Sequence, residues 1–269
     1  MPEQNRQQVV LVTGGSSGIG QAICTYLAAE GHTVFGTSRK AELQPGNYRM
    51  LAMDLGDDGS VQRAVAEVVH TTGRIDVLVN NAGQGIQGAL EDLLPEQATA
   101  IFDTNVIGAH RMVRSVLPHM RKQGSGLIIN VTSLAANFGL PYRGFYSASK
   151  AALERYTETL GMEVKAFGIR VASLQPGEYN TNIGASRLRP AITSEAYKAG
   201  YERAMELLGS SLHYSRDPNE VARLVEGIMA DPRPRTVYFA AHGKQRLAVL
   251  LKKFLPGRFF QRLMMQEYR

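Results

Sequence analysis

A glycine-rich turn between an apolar run and an amphipathic stretch is the feature that most restricts how this chain can fold. The run Val9–Thr13 leads into the sequence GGSSGIG at positions 14–20, and a helix-forming segment follows. In a strand–turn–helix unit, glycine permits a tight turn and lets the backbone approach a pyrophosphate at the helix N-terminus. Loops also carry glycine for turn geometry alone, but here both flanking elements are present. The turn therefore predicts a dinucleotide site that includes Gly14, Ser16, Ser17, Gly18, Ile19 and Gly20.

The rest of the chain alternates short apolar runs with helix-length amphipathic stretches. Such alternation indicates a parallel sheet with helices on both faces, and right-handed crossovers make it a doubly wound, Rossmann-type α/β fold. We predict a single domain over residues 1–241. The predicted strands are Val9–Thr13, Thr33–Gly36, Arg49–Met53, Ile75–Val79, Leu127–Val131, Ile169–Leu174 and Thr236–Phe239. The predicted helices are Gly18–Glu30, Ser60–Thr71, Pro95–Gln123, Tyr146–Phe167 and Pro218–Ala230.

Two segments depart from this alternation. Residues 179–216 are rich in Ser, Thr, Arg and Gly, with weak helical patterning around Glu195–Leu208. They form either a surface insertion or, as their position after a strand end favours, a lid over a substrate pocket. Residues 242–269 form a C-terminal extension that reads as two short amphipathic helices broken at Pro256-Gly257.

The charge of the protein is concentrated in that extension. The chain has 269 residues and a net charge of +6, and the last 28 residues hold seven basic residues and one acid. The other 23 basic and 23 acidic residues lie in residues 1–241 and cancel. A uniform nucleic-acid-binding surface is therefore not expected.

Cysteine and histidine content bears on compartment and metal binding. A lone Cys24 excludes an intramolecular disulfide and a cysteine-rich zinc site, and it favours a reducing compartment. The first residues lack a signal-peptide pattern and no run reaches the ~18 apolar residues of a membrane span. These two observations lead us to expect a cytoplasmic protein. The six histidines have no metal-ligand spacing, so we expect no metal site.

The apolar positions of the extension leave two interpretations open. The first set has the i, i+3, i+4, i+7 spacing of one side of a helix and consists of Leu247, Leu250, Leu251 and Phe254. A second set with similar spacing consists of Phe259, Phe260, Leu263 and Met264. They form either a packing or oligomer contact, or the apolar side of a basic surface that rests on anionic lipid. The second interpretation would place the protein at the periphery of a membrane.

The end of the predicted second strand indicates which dinucleotide binds. An acid at this place accepts from the 2′-hydroxyl of NAD, but the sequence here is Gly36-Thr37-Ser38-Arg39-Lys40. Arg39 can pair with a 2′-phosphate and Ser38 can donate a hydrogen bond to it, whereas an acid would repel it. NADP(H) is the predicted cofactor. The alternative is that Arg39 and Lys40 are a solvated pair on a loop that binds no ligand.

Further polar residues follow the later strands in a fixed order. Asp54-Leu55 follows the third strand, where the carboxylate could accept from an adenine amino group, and Asn81-Ala82-Gly83 ends the fourth. Asn105 lies in the following helix. Ser133 ends the fifth strand, Tyr146 and Lys150 open the next helix, and Pro176-Gly177 ends the sixth strand, with Thr181 beyond it.

This ordered set resembles the short-chain dehydrogenase/reductase family, in its single-domain branch, over roughly residues 7–240. The motifs TGxxxGxG, NNAG, Ser, YxxxK and PGxxxT occur at the family's spacing. The resemblance implies that Tyr146 is the catalytic acid/base, Lys150 its partner, Ser133 the carbonyl orienter and Asn105 a proton-relay residue. It implies a homodimer or homotetramer. The expected cofactor-binding residues are Gly14, Ser16, Ser17, Gly18, Ile19, Gly20, Ser38, Arg39, Asp54, Leu55, Asn81, Ala82, Gly83, Tyr146, Lys150, Pro176, Gly177 and Thr181.

The chemistry of these side chains supports the same roles independently of the family resemblance. A free tyrosine has a pKa near ~10 and is a poor base, but a lysine four residues along the same helix face favours the phenolate. A serine hydroxyl can donate to a substrate oxygen as negative charge develops there. The alternative to a proton-relay role for Asn105 is a buried side-chain amide that only makes hydrogen bonds with neighbouring protein groups.

An apolar set near Ser133 and Tyr146 suggests a lipophilic substrate, and the texture of residues 139–150 resembles steroid and retinoid dehydrogenases. Its members are Leu134, Phe138, Leu140, Tyr142 and Phe145, any of which could equally pack beneath the insertion. We therefore expect an NADP(H)-dependent oxidoreductase acting on a hydrophobic carbonyl or secondary alcohol. Two alternatives are a non-catalytic dinucleotide-binding redox sensor or scaffold, and a lipid-binding protein dominated by its extension.

Overall fold

The computed structural model describes residues 7–40, 47–179, 187–212, 216–241 and 243–266. These residues form one sheet of seven parallel strands. The strands are β1 (Val9–Thr13), β2 (Thr33–Ser38), β3 (Arg49–Ala52), β4 (Val77–Asn80), β5 (Gly126–Val131), β6 (Ile169–Pro176) and β7 (Val237–Ala240). Their spatial order is β3-β2-β1-β4-β5-β6-β7, so the direction of winding reverses between β1 and β4. This is the predicted doubly wound arrangement, and its ligand crevice lies at that reversal.

Helices cover both faces of the sheet, as predicted. They are α1 (Gly18–Ala29), α2 (Asp58–Thr72), α3 (Pro95–Phe102), α4 (Gly108–Gln123), α5 (Gly144–Val164), α6 (Glu195–Leu212), α7 (Asn219–Ala230), α8 (Gly243–Phe254) and α9 (Gly257–Gln266). Strand β1 shows why the core divides in two, because successive side chains of a strand point to opposite faces. Val10 and Val12 pack with α1 and α7, whereas Val9 and Leu11 pack with α2, α4 and α5.

The predicted helix over residues 95–123 is wrong in one respect: it is not continuous. A five-residue π-helix, Asp103–Ile107, separates α3 from α4. A π turn widens the helix and often lies at functional sites, and Asn105 sits at its centre with 1% of its surface exposed. Periodicity alone does not distinguish this local widening from a continuous α-helix.

The glycine turn after β1 is tightly packed against β2 and α1. A side-chain carbon on Gly15 would approach the Gly36 Cα to 2.7 Å and the Cys24 sulfur to 3.0 Å. Cys24 is fully buried there, and burial raises the pKa of its thiol. The turn, the second strand and the only cysteine thus form one close-packed unit.

The described part of the segment 179–216, residues 187–212, lies on the loops that follow β4 and β5. Leu188 pairs with Ile86 in an isolated parallel bridge, and the Tyr197 hydroxyl donates to Glu91 Oε2 at 2.6 Å. The Tyr142 ring meets Tyr201 of α6 edge-on at 5.8 Å between centroids. The described part of the segment therefore covers the carboxyl edge of the sheet.

The C-terminal extension forms two helices, α8 and α9, as predicted from the break at Pro256-Gly257. Val249 of α8 and Phe260 of α9 are each 3% exposed. Val249 clusters with Leu134, and the Phe260 ring lies 5.4 Å from the Phe138 ring. The extension thus packs on the loop that follows β5.

Candidate active site and nucleotide cradle

The glycine turn fits a dinucleotide phosphate because it leaves no room for side chains. Gly14 and Gly18 have positive φ angles of 70° and 55°, which favour glycine. A side-chain carbon on Gly20 would lie 2.1 Å from the Gly14 carbonyl oxygen. Ser17 caps α1 without a side-chain hydrogen bond, so the amides of the first turn face the predicted phosphate position. Ser16 and Ile19 belong to the same turn.

Thr13 joins the two halves of the crevice, and the sequence analysis did not identify it. Its Oγ1 accepts hydrogen bonds from the backbone N–H of Asn81 at 3.0 Å and of Ala82 at 2.9 Å. The Asn81 Nδ2 returns a bond to the Thr13 carbonyl oxygen at 2.9 Å. These three bonds fix the loop after β4 to the turn after β1, at the place where the winding reverses. Thr13 precedes the motif glycine, and its role depends on a partner 68 positions away.

The group expected to read the adenosine ribose lies at the end of β2. Ser38 is half-buried and its hydroxyl bonds to the Lys40 carbonyl oxygen, while Arg39 is exposed. The described residues give Arg39 no ion pair. A free guanidinium at this position is compatible with a bound 2′-phosphate.

Asp54 and Leu55 follow β3, on the same edge of the sheet. The exposed Asp54 carboxylate accepts from the Gly56 N–H at 2.8 Å, which fixes its orientation and leaves its second oxygen available. Leu55 packs toward Gly108 at the start of α4, and its carbonyl oxygen accepts from Arg111 at 2.9 Å. Half-buried Leu55 therefore fixes the loop after β3 to α4.

Asn105 is fully engaged by its neighbours. Its Oδ1 accepts from the Gln84 N–H at 2.7 Å, and its Nδ2 donates to the Gln84 carbonyl oxygen and to Ser149 Oγ, both at 3.0 Å. The amide thus ties the loop after β4 to α5. Both donor positions of the amide nitrogen are used, whereas Oδ1 accepts one hydrogen bond and can accept a second.

Lys150 is buried where β4, β5 and α5 meet. Its Nζ donates to the Val131 carbonyl oxygen at 2.8 Å. A side-chain carbon on Gly83 would lie 3.3 Å from this Nζ and 3.2 Å from Asn105 Oδ1, so Gly83 makes space for both. Burial lowers the pKa of Lys150 to about 8, which leaves an ammonium at neutral pH that gives up its proton more readily than usual.

Tyr146 lies one helical turn before Lys150 on α5, so the two side chains project from one face. Tyr146 is half-buried and packs in a cluster with Ile86, Phe145 and Leu188. Ser133 lies at the end of β5 and is also half-buried; its Oγ accepts from the Ala135 N–H at 3.1 Å. That bond leaves the hydroxyl proton free to be donated. The structure brings Ser133, Tyr146 and Lys150 to the same edge of the sheet.

Two buried chains of hydrogen bonds hold α5 in register, and the sequence analysis missed both. Asn80 donates to Asn130 at 2.9 Å, and Asn130 donates to Thr157 at 2.8 Å. In the second chain, Glu154 accepts from Thr132 at 2.9 Å and from Ser173 at 2.5 Å. Such paired polar groups specify one docking position for a helix. No local pattern reveals them, because each pair joins different strands and helices.

Charged side chains surround the substrate side of Tyr146. Arg143 pairs with Glu178 at 3.7 Å. The Arg187 side chain lies across Gly85, where an added carbon would meet its Cγ at 2.7 Å. Burial and the neighbouring Arg143 lower the pKa of Arg187, while Tyr146 and Glu178 act in the opposite direction.

The end of β6 contacts the extension. The Gly177 N–H donates to the Ala240 carbonyl oxygen at 2.8 Å, beside the buried Pro176. A side-chain carbon on Gly177 would lie 2.2 Å from the Gln245 Oε1 of α8. Thr181 lies outside the described residues.

The predicted apolar pocket wall divides between two elements. Leu134 and Phe138 pack beneath the extension, whereas Phe145 joins the cluster around Tyr146 and Tyr142 packs on α6. Tyr142 has φ 59°, a left-handed conformation that is strained for a bulky residue. Half-buried Leu140 lies between these groups and supports the turn through its carbonyl oxygen, which accepts from the Arg143 N–H at 3.1 Å.

The described residues contain no group of three potential metal ligands among histidine, cysteine and carboxylates. Within the same part of the chain, no helix is both long and apolar enough to cross a bilayer.

Comparison with known proteins gives a consistent result. The family described as short chain dehydrogenase matches residues 8–190. A 3-ketodihydrosphingosine reductase of Bacteroides thetaiotaomicron is 38% identical over 256 residues, which cover 94% of this chain and 95% of that protein. The 17-beta-hydroxysteroid dehydrogenase type 1 of Mus musculus is 33% identical, covering 96% of this chain and 81% of that protein. A crystal structure of a short-chain dehydrogenase from Streptomyces avermitilis superimposes with a TM-score of 0.82 at 32% identity, covering 98% of this chain and 97% of that chain.

Proposed function

The chain belongs to the short-chain dehydrogenase family, and we propose that it is an NADP(H)-dependent reductase or dehydrogenase of a lipophilic carbonyl compound or secondary alcohol. Oxidoreductase chemistry between CH–OH and C=O is the common activity of this family. The observation that carries the proposal is the buried Lys150 ammonium beside Tyr146, at the edge where the glycine turn and Ser133 also lie. Burial of an ammonium costs free energy of folding, and buried ionisable groups of this kind cluster at functional sites.

The cofactor would rest on the glycine turn and the first turn of α1, where side chains are excluded. When bound, NADP(H) supplies or accepts the hydride. Arg39 and Ser38 would hold the 2′-phosphate, Asp54 the adenine, and the Asn81–Gly83 loop the adjoining ribose. Preference for NADP(H) is supported by the exposed Arg39 and by the lack of an acid at positions 36–40.

The acid–base step would use three side chains of this chain. In reduction, the Tyr146 hydroxyl gives its proton to the carbonyl oxygen as the carbon receives the hydride. The Lys150 ammonium favours the phenolate that remains, and Ser133 donates a hydrogen bond to the substrate oxygen. In oxidation the proton moves from the alcohol to Tyr146. Asn105 would position Lys150 and Gly83 through its bonds to Gln84 and Ser149.

A lipophilic substrate is supported by the apolar side of the crevice. Ile86, Phe145 and Leu188 adjoin Tyr146, and the described part of the 179–216 insertion would act as a lid. The two relatives named above are a reductase of a sphingoid ketone and a dehydrogenase of hydroxysteroids, and both of those substrates are lipophilic.

The proposal includes assembly as a homodimer or homotetramer in the cytoplasm, with contact to the membrane periphery through the extension. A groove of about 590 Å³ runs between α4 and α5, the two long helices expected to pair across a dimer axis. Leu117, Thr159 and Tyr156 line it. Molar mass by light scattering tests the assembly: Leu117→Arg with Thr159→Arg should yield monomers, and an unchanged mass would exclude this groove as the interface.

The experiment that tests the activity measures NADPH and NADH consumption, and the reverse reaction, with aldehydes, steroid ketones and long-chain ketones. The Tyr146→Phe variant serves as the blank. Consumption of NADPH that depends on Tyr146 and on a lipophilic carbonyl supports the proposal. Nucleotide binding without turnover of any compound in either direction would replace it with a redox sensor or scaffold.

A further inference from the structure

The extension carries an exposed apolar surface that no other described residues cover. We call it the extension face; it consists of Leu247, Leu250, Phe254, Phe259, Leu263 and Met265. Phe254 is 83% exposed and Phe259 57%, and the others are exposed by 39% to 52%. Six large apolar side chains exposed within 19 residues are more than scattered surface residues would give, and such a concentration marks a candidate interaction surface.

The orientation of α8 shows that this face is not simply poorly packed core. Val249 docks the helix on the body. At 100° per residue, Val249 lies about 160° around the helix from Leu247, about 140° from Phe254 and about 100° from Leu250. The i, i+3, i+7 stripe that predicts a buried face therefore points outward, whereas Val249 and Gln245 contact the body.

The charge of the extension selects the kind of partner. Residues 243–266 contain Lys244, Arg246, Lys252, Lys253, Arg258 and Arg262 and no acid. Of these, Arg246, Lys253, Arg258 and Arg262 are exposed. Arg246 lies over the Phe239 ring of the body, which leaves Lys253, Arg258 and Arg262 for a partner. A two-fold contact between copies would place this surface against itself, and like charges would oppose it. An anionic lipid surface instead accepts both the aromatic side chains and the cations.

We propose that the extension face docks on an anionic lipid bilayer, with Phe254 and Phe259 inserted at the headgroup level and Lys253, Arg258 and Arg262 against lipid phosphates. The opposite side of the same two helices covers Leu134 and Phe138, in the loop that begins at Ser133. Docking therefore places the candidate substrate opening next to the bilayer. That consequence rests on the proposed function, since it matters only for a lipid-soluble substrate.

Vesicle co-sedimentation of the full chain tests the docking without any assay of activity. Vesicles of phosphatidylcholine with about 30% phosphatidylserine should bind the protein, and vesicles of phosphatidylcholine alone should bind it much less. The triple variant Lys253→Gln, Arg258→Gln, Arg262→Gln should bind anionic vesicles about 100-fold more weakly at low salt. Phe254→Ser with Phe259→Ser should lose at least about tenfold.

Matched variants elsewhere on the surface provide the controls. Lys122→Gln, Lys165→Gln, Arg233→Gln removes three exposed charges, and Met162→Ser with Ile192→Ser removes side chains that are 68% and 81% exposed. Both controls should bind like the wild type. Equal binding by all variants, or no wild-type binding to anionic vesicles, overturns the proposal. So does a fall in molar mass for the Phe254/Phe259 variant, which would identify the face as a subunit contact.

A second measurement separates this inference from the proposed function. Turnover of a long-chain ketone embedded in anionic vesicles should fall in the triple variant, whereas turnover of a short soluble ketone should not change. Vesicle binding without turnover of either ketone retains the docking surface and rejects the proposed activity. Turnover of both ketones at equal rates in all variants rejects the docking.

Discussion

The nucleotide side of the molecule and the C-terminal extension are built by opposite means. Around the turn after β1, glycines and buried side chains pack so closely that an added carbon at Gly20 would approach another atom to 2.1 Å. The extension is attached mainly through Val249 and Phe260 and leaves six large apolar side chains exposed. The nucleotide side is thus shaped by closely packed backbone, whereas the exposed surface of the extension consists mostly of side chains.

The largest expected effect separates binding from chemistry. Tyr146→Phe removes the hydroxyl of the proposed proton donor and keeps its ring and the glycine turn, so kcat should fall by roughly 10²- to 10⁴-fold. The dissociation constant for NADPH, measured by fluorescence titration, should change little. Tyr156→Phe, on the same helix, is the matched control and should keep turnover within about twofold. A Tyr146→Phe enzyme with wild-type kcat would contradict the assignment.

A second prediction concerns Lys150, which is buried on the nucleotide side of the molecule. Its pKa is about 8 in the folded protein and 10.5 ordinarily. Between these values the unfolded chain holds a proton that the folded chain has released, so stability rises with pH across this window. From about pH 7.5 to 9.5, the free energy of unfolding of the wild type should gain about 2 kcal/mol relative to Lys150→Met.

Urea denaturation of both proteins at the two pH values measures this difference. No relative gain, or a relative loss, would show that the Lys150 ammonium is as well solvated as an ordinary lysine.

Arg39 tests the charge on the nucleotide side. Arg39→Ala should raise the KM for NADPH roughly tenfold, because a charge-assisted bond to the 2′-phosphate is lost. The KM for NADH should stay within about twofold. Steady-state kinetics with both cofactors decides, and equal changes in both KM values would remove the basis for NADP(H) preference.

The smallest global effect is expected in the extension. Phe260→Ala should release α9 locally, with faster tryptic cleavage at Arg258 and Arg262. The free energy of global unfolding should fall by less than about 1 kcal/mol, because α9 does not contact the sheet core. Leu11→Ala, in the centre of the sheet, should cost about 2–5 kcal/mol. A similar global loss in both variants would show that the extension folds as part of the core.

The same contrast explains what the sequence could predict. The strands, the sheet topology and the placement of the glycine turn depend on local patterns of apolar residues and glycine, and they are confirmed. The π-helix at Asp103–Ile107 was not predicted, because the spacing of its apolar residues is that of an α-helix. Thr13, Asn130 and Glu154 were missed, since each acts through partners on other strands and helices.

Within the candidate site, Ser133, Tyr146 and Lys150 lie at one edge of the sheet, and several other predicted residues have contacts that their sequence positions do not indicate. Asn105 bonds Gln84 and Ser149 and so acts as a brace. Leu134 and Phe138 lie under the extension, although proximity to Ser133 in sequence predicted a pocket wall. The apolar stripe of α8 faces outward, because periodicity predicts which residues share a face but not which face is covered.

Cys24 makes the nucleotide side open to direct observation. Its sulfur is enclosed by Gly15, Gly36 and α1, so a thiol reagent can reach it only when that unit opens. The labelling rate of this sole thiol therefore reports how often the glycine turn opens in the native protein. A ligand that occupies the turn should lower the labelling rate, and a ligand of the extension should leave the rate unchanged.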